Sequence, residues 1–270
     1  MIYEQIINVK FLFKNYWIYK NKVIFKPNFN DKLDDYIDII SKHNELIFSN
    51  YDDFTITIKT NNLYYEKYYD NYKGSKFNQQ ITISQNITHL TFGEDFNQQV
   101  IIPQNITHLT FGDHFNQQVI IPQNVTHLTF GFDFNQQVII PQNVTHLIFG
   151  YDFDFDQPVN LPNIKYIKLG CNNIDIIENL PNSVEEIEFD YFFDLELHNL
   201  PNSIKKISFC SYSSYDKELN CLPEFVEYLE LGKDYDKKIN KFPINLKTIK
   251  CNRRYKYIND LKDKYNVITY

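Results

Sequence analysis

The sequence has few of the features that mark membrane, secreted or nucleic-acid-binding proteins. Its longest apolar runs, such as residues 119–122, are far shorter than the roughly 20 residues that a membrane-spanning helix needs. Glu4, Lys10 and Lys14 interrupt the stretch where a secretion signal would be apolar, so we expect no signal peptide. The formal net charge of −7 argues against binding nucleic acid by neutralising its phosphates. We therefore expect no nucleic-acid partner and no membrane association.

Cysteine is also scarce, and its positions show no regular spacing. The four cysteines are Cys171, Cys210, Cys221 and Cys251. Because this spacing does not suggest a ladder of disulfides, a reducing compartment is the simpler interpretation, and we expect an intracellular, cytoplasmic location. The Asn-x-Thr sequons follow from the copying of one repeat unit; glycosylation there would support a different function, that of a secreted glycan binder.

Catalytic motifs are missing from the sequence as well. It contains no glycine-rich phosphate loop, no nucleophile motif and no clustered Cys/His set with metal-ligand spacing. The most regular region presents nearly identical surfaces, whereas catalysis needs different groups that converge on one place. We therefore predict that the protein is not an enzyme and has no cofactor.

What the chain does have is an internal repeat. The block FNQQVIIPQNVTHLTFG recurs almost unchanged, and its phenylalanines Phe96, Phe115 and Phe134 are spaced by 19 residues. A fixed period near 20 residues is typical of a solenoid, in which each turn buries its apolar face against its neighbours. Alignment on the proline gives about nine turns. We divide the chain into an N-terminal capping region (1–76), a solenoid (77–254) and a C-terminal cap (255–270).

Each repeat unit predicts one short strand and one return segment. After the proline the pattern is apolar-x-x-apolar-x-apolar, as in Val125, Leu128 and Phe130, and the last two of these point to the same side of an extended strand. Because every unit runs the same way, we expect parallel strands. The return segment of about ten residues ends at a proline, which favours extended or irregular structure over a helix.

Several positions are predicted to be internal. The residue before each proline and the phenylalanine that opens each return segment, Phe155 included, should close the core. Strand-ending glycines such as Gly112 are expected to permit the backbone geometry of the corner. In the N-terminal region we predict a strand over 16–26, a helix near 31–42 and a strand over 54–59. At the C-terminus we predict a helix over 255–265 followed by a short strand.

The open face of the sheet is the first candidate binding surface. One column of its side chains is His89, His108, His127, His146, Tyr166, Glu186, Lys206 and Tyr228. Histidines in a straight ladder do not converge on a point, so we expect no metal site. They should charge together below about pH 6. In the last five strands the neighbouring columns alternate lysine and glutamate, which favours pairing across strands and leaves the face nearly neutral.

The second candidate surface is a row of isoleucines on the return side. Ile101, Ile120 and Ile139 stand two residues before their prolines, where later turns carry polar residues such as Asn160 and Lys241. This predicts an exposed apolar stripe for a partner or for self-association. The alternative is that flanking glutamines cover it.

The repeat unit also resembles a known family. The spacing in IKYIKLGCNNI at 164–174 resembles the leucine-rich repeat, and the fuller unit, with Phe-Asn before a proline and then THLTFG, resembles the FNIP repeat of social amoebae and giant viruses of amoebae. The resemblance is specific over 77–152, looser over 153–254 and absent from the first 70 or so residues. It implies a mainly β, leucine-rich-repeat-like parallel β solenoid of about nine short turns, with an α/β N-terminal cap and a short helical C-terminal cap.

The same resemblance implies a function. We expect a non-enzymatic intracellular protein–protein interaction scaffold; the partner's identity and the oligomeric state are open. Because family members often carry an N-terminal F-box, the alternative is a substrate-recognition subunit of a ubiquitin ligase. The first 76 residues lack the Leu-Pro-led helical signature of that module.

Overall fold

The computed structural model describes residues 13–52, 71–150 and 157–270. The chain divides into two compact units, Met1–Pro141 and Gln142–Tyr270. In the described residues both units are mainly β, with strands of three or four residues and helices of four or five. A strand this short points only one pair of side chains toward the core in each turn. Each unit therefore gains its cohesion from the stacking of neighbouring turns.

The described part of the first unit contains six strands. They are β1 (Tyr16–Tyr19), β2 (Lys22–Phe25), β3 (Glu45–Phe48), β4 (His89–Thr91), β5 (His108–Thr110) and β6 (His127–Phe130). β1 pairs with β2 in antiparallel orientation, and each later strand pairs with the one before it in parallel. A 3-10 helix (Leu33–Tyr36) and α1 (Ile37–Ile40) connect β2 to β3.

The second unit has the same design, with seven strands in its described residues. They are β7 (His146–Phe149), β8 (Tyr166–Leu169), β9 (Glu186–Phe189), β10 (Lys206–Phe209), β11 (Tyr228–Glu230), β12 (Thr248–Cys251) and β13 (Asn266–Thr269). All neighbouring pairs are parallel. Helix α2 (Ile174–Glu178) lies between β8 and β9, and α3 (Asn259–Lys262) lies between β12 and β13. The predicted parallel β solenoid is confirmed, and β2, β3 and β13 add turns to the nine counted from the sequence.

Two columns of phenylalanine rings form the core of the first unit. Within a turn the strand residue stacks on the residue that opens the return segment: the ring centroids of Phe92 and Phe96 are 4.0 Å apart, and those of Phe111 and Phe115 are 4.1 Å apart. All four side chains are fully buried. Burying each is worth about 1.5–3 kcal/mol, so the predicted columns supply much of the cohesion. Phe155, assigned to the same column, lies outside the described residues.

An asparagine ladder supports the return segments of the first unit. The Oδ1 of Asn97 accepts hydrogen bonds from the backbone N–H of Asn116 and from the Nε2 of Gln117, both at 3.0 Å. Asn78 and Asn116 do the same for the turns that follow them. Because the return segment is not a strand, these backbone donors need a side-chain acceptor. The ladder explains why Asn-Gln follows the phenylalanine in each copy, a role that the sequence pattern does not reveal.

The expected role of the strand-ending glycines is wrong. Among the described glycines only Gly74 has a positive φ, so the corners do not need a left-handed backbone. Instead, the corners of neighbouring turns touch: a Cβ on Gly112 would lie 1.9 Å from the carbonyl oxygen of Gly93, and one on Gly131 would lie 2.0 Å from that of Gly112. The requirement is close approach of two backbones.

The N-terminal region holds a turn that the repeat pattern of the sequence does not predict. The predicted strand over 16–26 is the β1–β2 hairpin, and the helix near 31–42 is two short helical segments; the strand predicted over 54–59 lies outside the described residues. Phe29 stacks on Phe25 at 4.2 Å, as Phe96 does on Phe92, and Asn30 accepts the backbone N–H of Asn78 at 3.0 Å. Phe25 to Asn30 is therefore a divergent repeat corner.

The helix near the C-terminus is shorter than expected. The helix predicted over 255–265 is limited to α3, preceded by hydrogen-bonded turns. The short strand expected after it is β13, which pairs with β12.

Candidate interaction surfaces

The histidine row is formed by His89, His108 and His127, the first residues of β4, β5 and β6. They lie opposite one another in the parallel register. Neighbouring ring centroids are 4.1 Å apart, with interplanar angles of 13° and 11°. Each Nδ1 lies 2.9–3.0 Å from the hydroxyl of the threonine before it. Stacking and this hydrogen bond together fix the orientation of the rings.

Burial within this arrangement affects protonation. Desolvation lowers the pKa of His89 from its ordinary value of 6.5, although Glu45 on the neighbouring strand opposes the shift. In the second unit His146, which bonds Thr145 in the same way at 2.9 Å, has its pKa lowered by the same cause. Both imidazoles are therefore mostly neutral at pH 7.

A metal site has no geometric support in the described part of the chain. No group of three or more His, Cys, Asp or Glu side chains is placed there to hold an ion. In the histidine row the rings are parallel, so their nitrogens do not aim at one point, as tetrahedral coordination requires.

The mixed row is the equivalent set in the second unit: His146, Tyr166, Glu186, Lys206 and Tyr228. These residues open β7 to β11 and are register partners from strand to strand. The Nζ of Lys206 lies 3.0 Å from the Oε2 of Glu186 and 5.9 Å from the ring centroid of Tyr228. The hydroxyl of Tyr166 donates to Glu188 at 3.0 Å. The structure thus brings the predicted residues into one row, and their polar groups already bond one another.

The lysine and glutamate columns beside the mixed row pair across strands. Lys205 bonds Glu185 at 2.9 Å, and Lys247 bonds Glu227 at 2.7 Å. These pairs are exposed, so each contributes little to stability. The alternation predicts this pairing, and the structure confirms it.

One member of these columns, Lys168, is fully buried. Its Nζ lies 2.8 Å from Glu188 and 3.2 Å from Asp190. Burial alone would lower the pKa of Lys168, but the two carboxylates outweigh it and hold that pKa above its ordinary value. The side chain stays charged as part of the packed structure, which leaves it no surface for a partner.

Among the described residues of the first unit, the isoleucine row, Ile101, Ile120 and Ile139, is the most exposed apolar feature. These side chains are 89%, 87% and 86% exposed, whereas Ile102, the next residue along the chain, is 5% exposed. Each return segment thus points one isoleucine inward and its neighbour outward. The predicted exposure is confirmed, and the flanking glutamines do not cover the row.

The two candidate surfaces of the first unit lie on different segments of each turn. The histidine row lies on the strands, whereas the isoleucine row lies in the return segments between Phe96 and Pro103 and in the two equivalent stretches. They are separate surfaces with different chemistry. In the described residues, no helix has the length and apolar character needed to cross a membrane.

Comparison with known proteins places this architecture among the repeat families. The FNIP Repeat family model matches residues 77–102, 99–133, 118–152, 134–172, 172–212 and 215–250. The crystal structure of CroV588, described as a novel circular LRR protein structure, is similar with a TM-score of 0.60 and 27% sequence identity. The match covers 90% of this chain and 42% of CroV588, so the chain spans less than half of that structure. No curated protein matches the sequence.

Proposed function

Because this chain belongs to the FNIP-repeat family, we propose that it is a non-enzymatic protein-interaction scaffold that binds its protein partner through the isoleucine row. The observation that carries this proposal is the exposure of Ile101, Ile120 and Ile139, each 86% or more. Contiguous exposed apolar side chains are characteristic of protein-binding surfaces.

The surroundings of the row favour a protein as its partner. Parallel strands lie about 4.8 Å apart, so three side chains at one position per turn form a line roughly 10 Å long. Gln99, Gln118 and Gln137 are exposed beside the isoleucines. An apolar line with a polar margin resembles the centre and rim of a protein interface. Each isoleucine that a partner covers would contribute up to about 1.5–3 kcal/mol.

The histidine and mixed rows are less favourable as primary binding surfaces. Their side chains are half-buried and engaged with threonine hydroxyls, neighbouring rings or carboxylates, as described above. A partner that used those polar groups would have to replace existing hydrogen bonds, which reduces the net gain.

The test is a triple substitution of the isoleucine row. Wild-type protein and the Ile101→Ser/Ile120→Ser/Ile139→Ser variant are used as bait in native cells, and each captured protein is then purified and its Kd measured directly. We expect the variant to weaken binding at least on the order of a hundredfold if three isoleucines are covered. The Gln99→Ser/Gln118→Ser/Gln137→Ser variant is the matched control. Unchanged affinity of the isoleucine variant for every captured protein would overturn the proposal.

The ubiquitin-ligase alternative stays a prediction. Residues 16–48 form β1, β2 and β3 together with two short helical segments. No feature of the described residues favours an F-box-like helical module. Capture of ligase core subunits by the wild-type chain would support the alternative, and their reproducible absence would count against it.

A further inference from the structure

The only two arginines of this chain lie side by side in one cleft. Arg253 and Arg254 line a cavity of about 410 Å³ together with Lys233, Asn252 and Tyr270. We call this cavity the basic cleft. Its residues follow β11, β12 and β13 in the chain, so it lies at the carboxyl ends of three neighbouring parallel strands. No carboxylate side chain is among its lining residues.

Hydrogen bonds from Asn252 organise the basic cleft. The Oδ1 of Asn252 accepts the backbone N–H of Arg254 at 2.9 Å, and its Nδ2 donates to the backbone carbonyl of Lys233 at 2.8 Å. The Nζ of Lys233 lies 4.4 Å from the ring centroid of Tyr212 and 5.7 Å from that of Tyr270. One side chain thus ties together the two corners that carry the cations.

The repeat makes Arg254 unusual at its position. Glu230 is the register partner of Lys250, so Arg254 corresponds to Asp234 in the turn before it. The same position is Asp133 in the first unit. At this position the last corner therefore carries a positive charge where the preceding corner carries a negative one. Arg253 corresponds to Lys233 in the same register, so both positions that align there are cationic.

The three cations of the basic cleft differ from the lysines of the neighbouring sheet face. Lys205, Lys247 and Lys250 each lie within 3 Å of a glutamate oxygen. In the part of the chain that the structure describes, Lys233, Arg253 and Arg254 form no ion pair. Three side-chain positive charges around one concave surface create a local field that attracts anions.

We propose that the basic cleft binds a phosphoryl group, either as free phosphate or as the phosphate of a modified side chain. A guanidinium presents paired donors that match two phosphate oxygens, and a lysine ammonium contributes a point charge. The cavity is larger than one phosphate ion needs, which leaves space for the group that carries it. This inference rests on the charges and geometry of the cleft and is independent of the isoleucine row.

The test is calorimetric titration of the full chain at constant ionic strength. The probes are inorganic phosphate, a short neutral peptide with one phosphoserine, and the same peptide unphosphorylated. We expect a phosphoryl-containing probe to bind and the unphosphorylated peptide not to bind. If the phosphopeptide binds more tightly than inorganic phosphate, the source is a modified side chain; if the two bind equally, it is free phosphate.

Three variants distinguish phosphoryl binding in the basic cleft from a general effect of protein charge on binding. In Arg253→Gln/Arg254→Gln the Kd for the phosphoryl probe should rise at least on the order of tenfold, because charge-assisted hydrogen bonds are lost. Arg253→Lys/Arg254→Lys should show a smaller rise, since it keeps the charge and loses the paired donors. Lys241→Gln, which removes an exposed charge elsewhere, should leave the Kd within about twofold. Absence of phosphoryl binding to the wild type, or an unchanged Kd in the glutamine variant with its fold intact by circular dichroism, would overturn the proposal.

Discussion

Protonation of single histidines links solution pH to stability in this protein. Burial lowers the folded-state pKa of His89 and His146 below 6.5, so the unfolded chain binds protons more readily than the folded one. Their contribution to stability is complete above pH 6.5 and is lost as pH falls through the folded-state pKa.

We therefore expect a smaller free energy of unfolding at pH 5.5 than at pH 7.5, measured by urea titration. The His89→Gln/His146→Gln variant removes both groups and should reduce this pH difference. Equal stability of the wild type at the two pH values would contradict the expectation.

Some single-residue roles were predictable from the sequence and others were not. The exposure of Ile101 follows from the polar residues at the same position in later turns, such as Asn160, because they indicate in the sequence itself that this position faces solvent. At Gly112 the close approach is to the backbone of Gly93, which lies 19 residues earlier in the chain. No local property of the sequence predicts the short distance between these two backbones. The charges of Lys233, Arg253 and Arg254 are visible in the sequence, but their lack of a carboxylate partner is a property of the folded chain.

Among the structural elements, the return segments depend on side chains for backbone hydrogen bonding. The Oδ1 of Asn97 satisfies the N–H of Asn116 and one donor of Gln117. Asn97→Ala should destabilise the first unit by about 1–3 kcal/mol, because it leaves a backbone donor without its acceptor. Asn97→Asp keeps an oxygen in place and should cost less. Chemical denaturation measures both, and equal losses in the two variants would show that the acceptor is not the cause.

The strand elements also show the limit of periodicity as a signal. β4, β5 and β6 were predictable because each follows the full apolar pattern. β3 was not, because His43 occupies the place of the first apolar residue: Leu46 and Leu90 are register partners, which puts His43 opposite Ile87. The long stretch between Phe48 and Phe77 further hides the period. The aromatic spacing from Phe25 to Phe29, followed by Asn30, is the signal that identifies the upstream turn.

For the first unit as a whole, the uniform register implies that its turns are exchangeable. Deletion of residues 104–122 removes one 19-residue period and would place β4 beside β6, with Phe92 meeting Phe130 and Asn97 meeting Asn135. We expect this protein to fold cooperatively, with a lower melting temperature because one layer of buried phenylalanine is lost. Deletion of residues 104–113 removes about half a period and should prevent folding of the first unit. Circular dichroism and thermal denaturation distinguish the outcomes, and a folded half-period deletion would contradict the assigned register.

In the first unit, identical residues of neighbouring turns contact each other, histidine with histidine and asparagine with asparagine. This arrangement also has a consequence for the gene. Unequal recombination between near-identical copies adds or removes whole periods, and each product would retain the same set of neighbours. The number of exposed isoleucines would then change by one with each event. The length of the isoleucine row is thus open to selection through copy number, without any new point mutation.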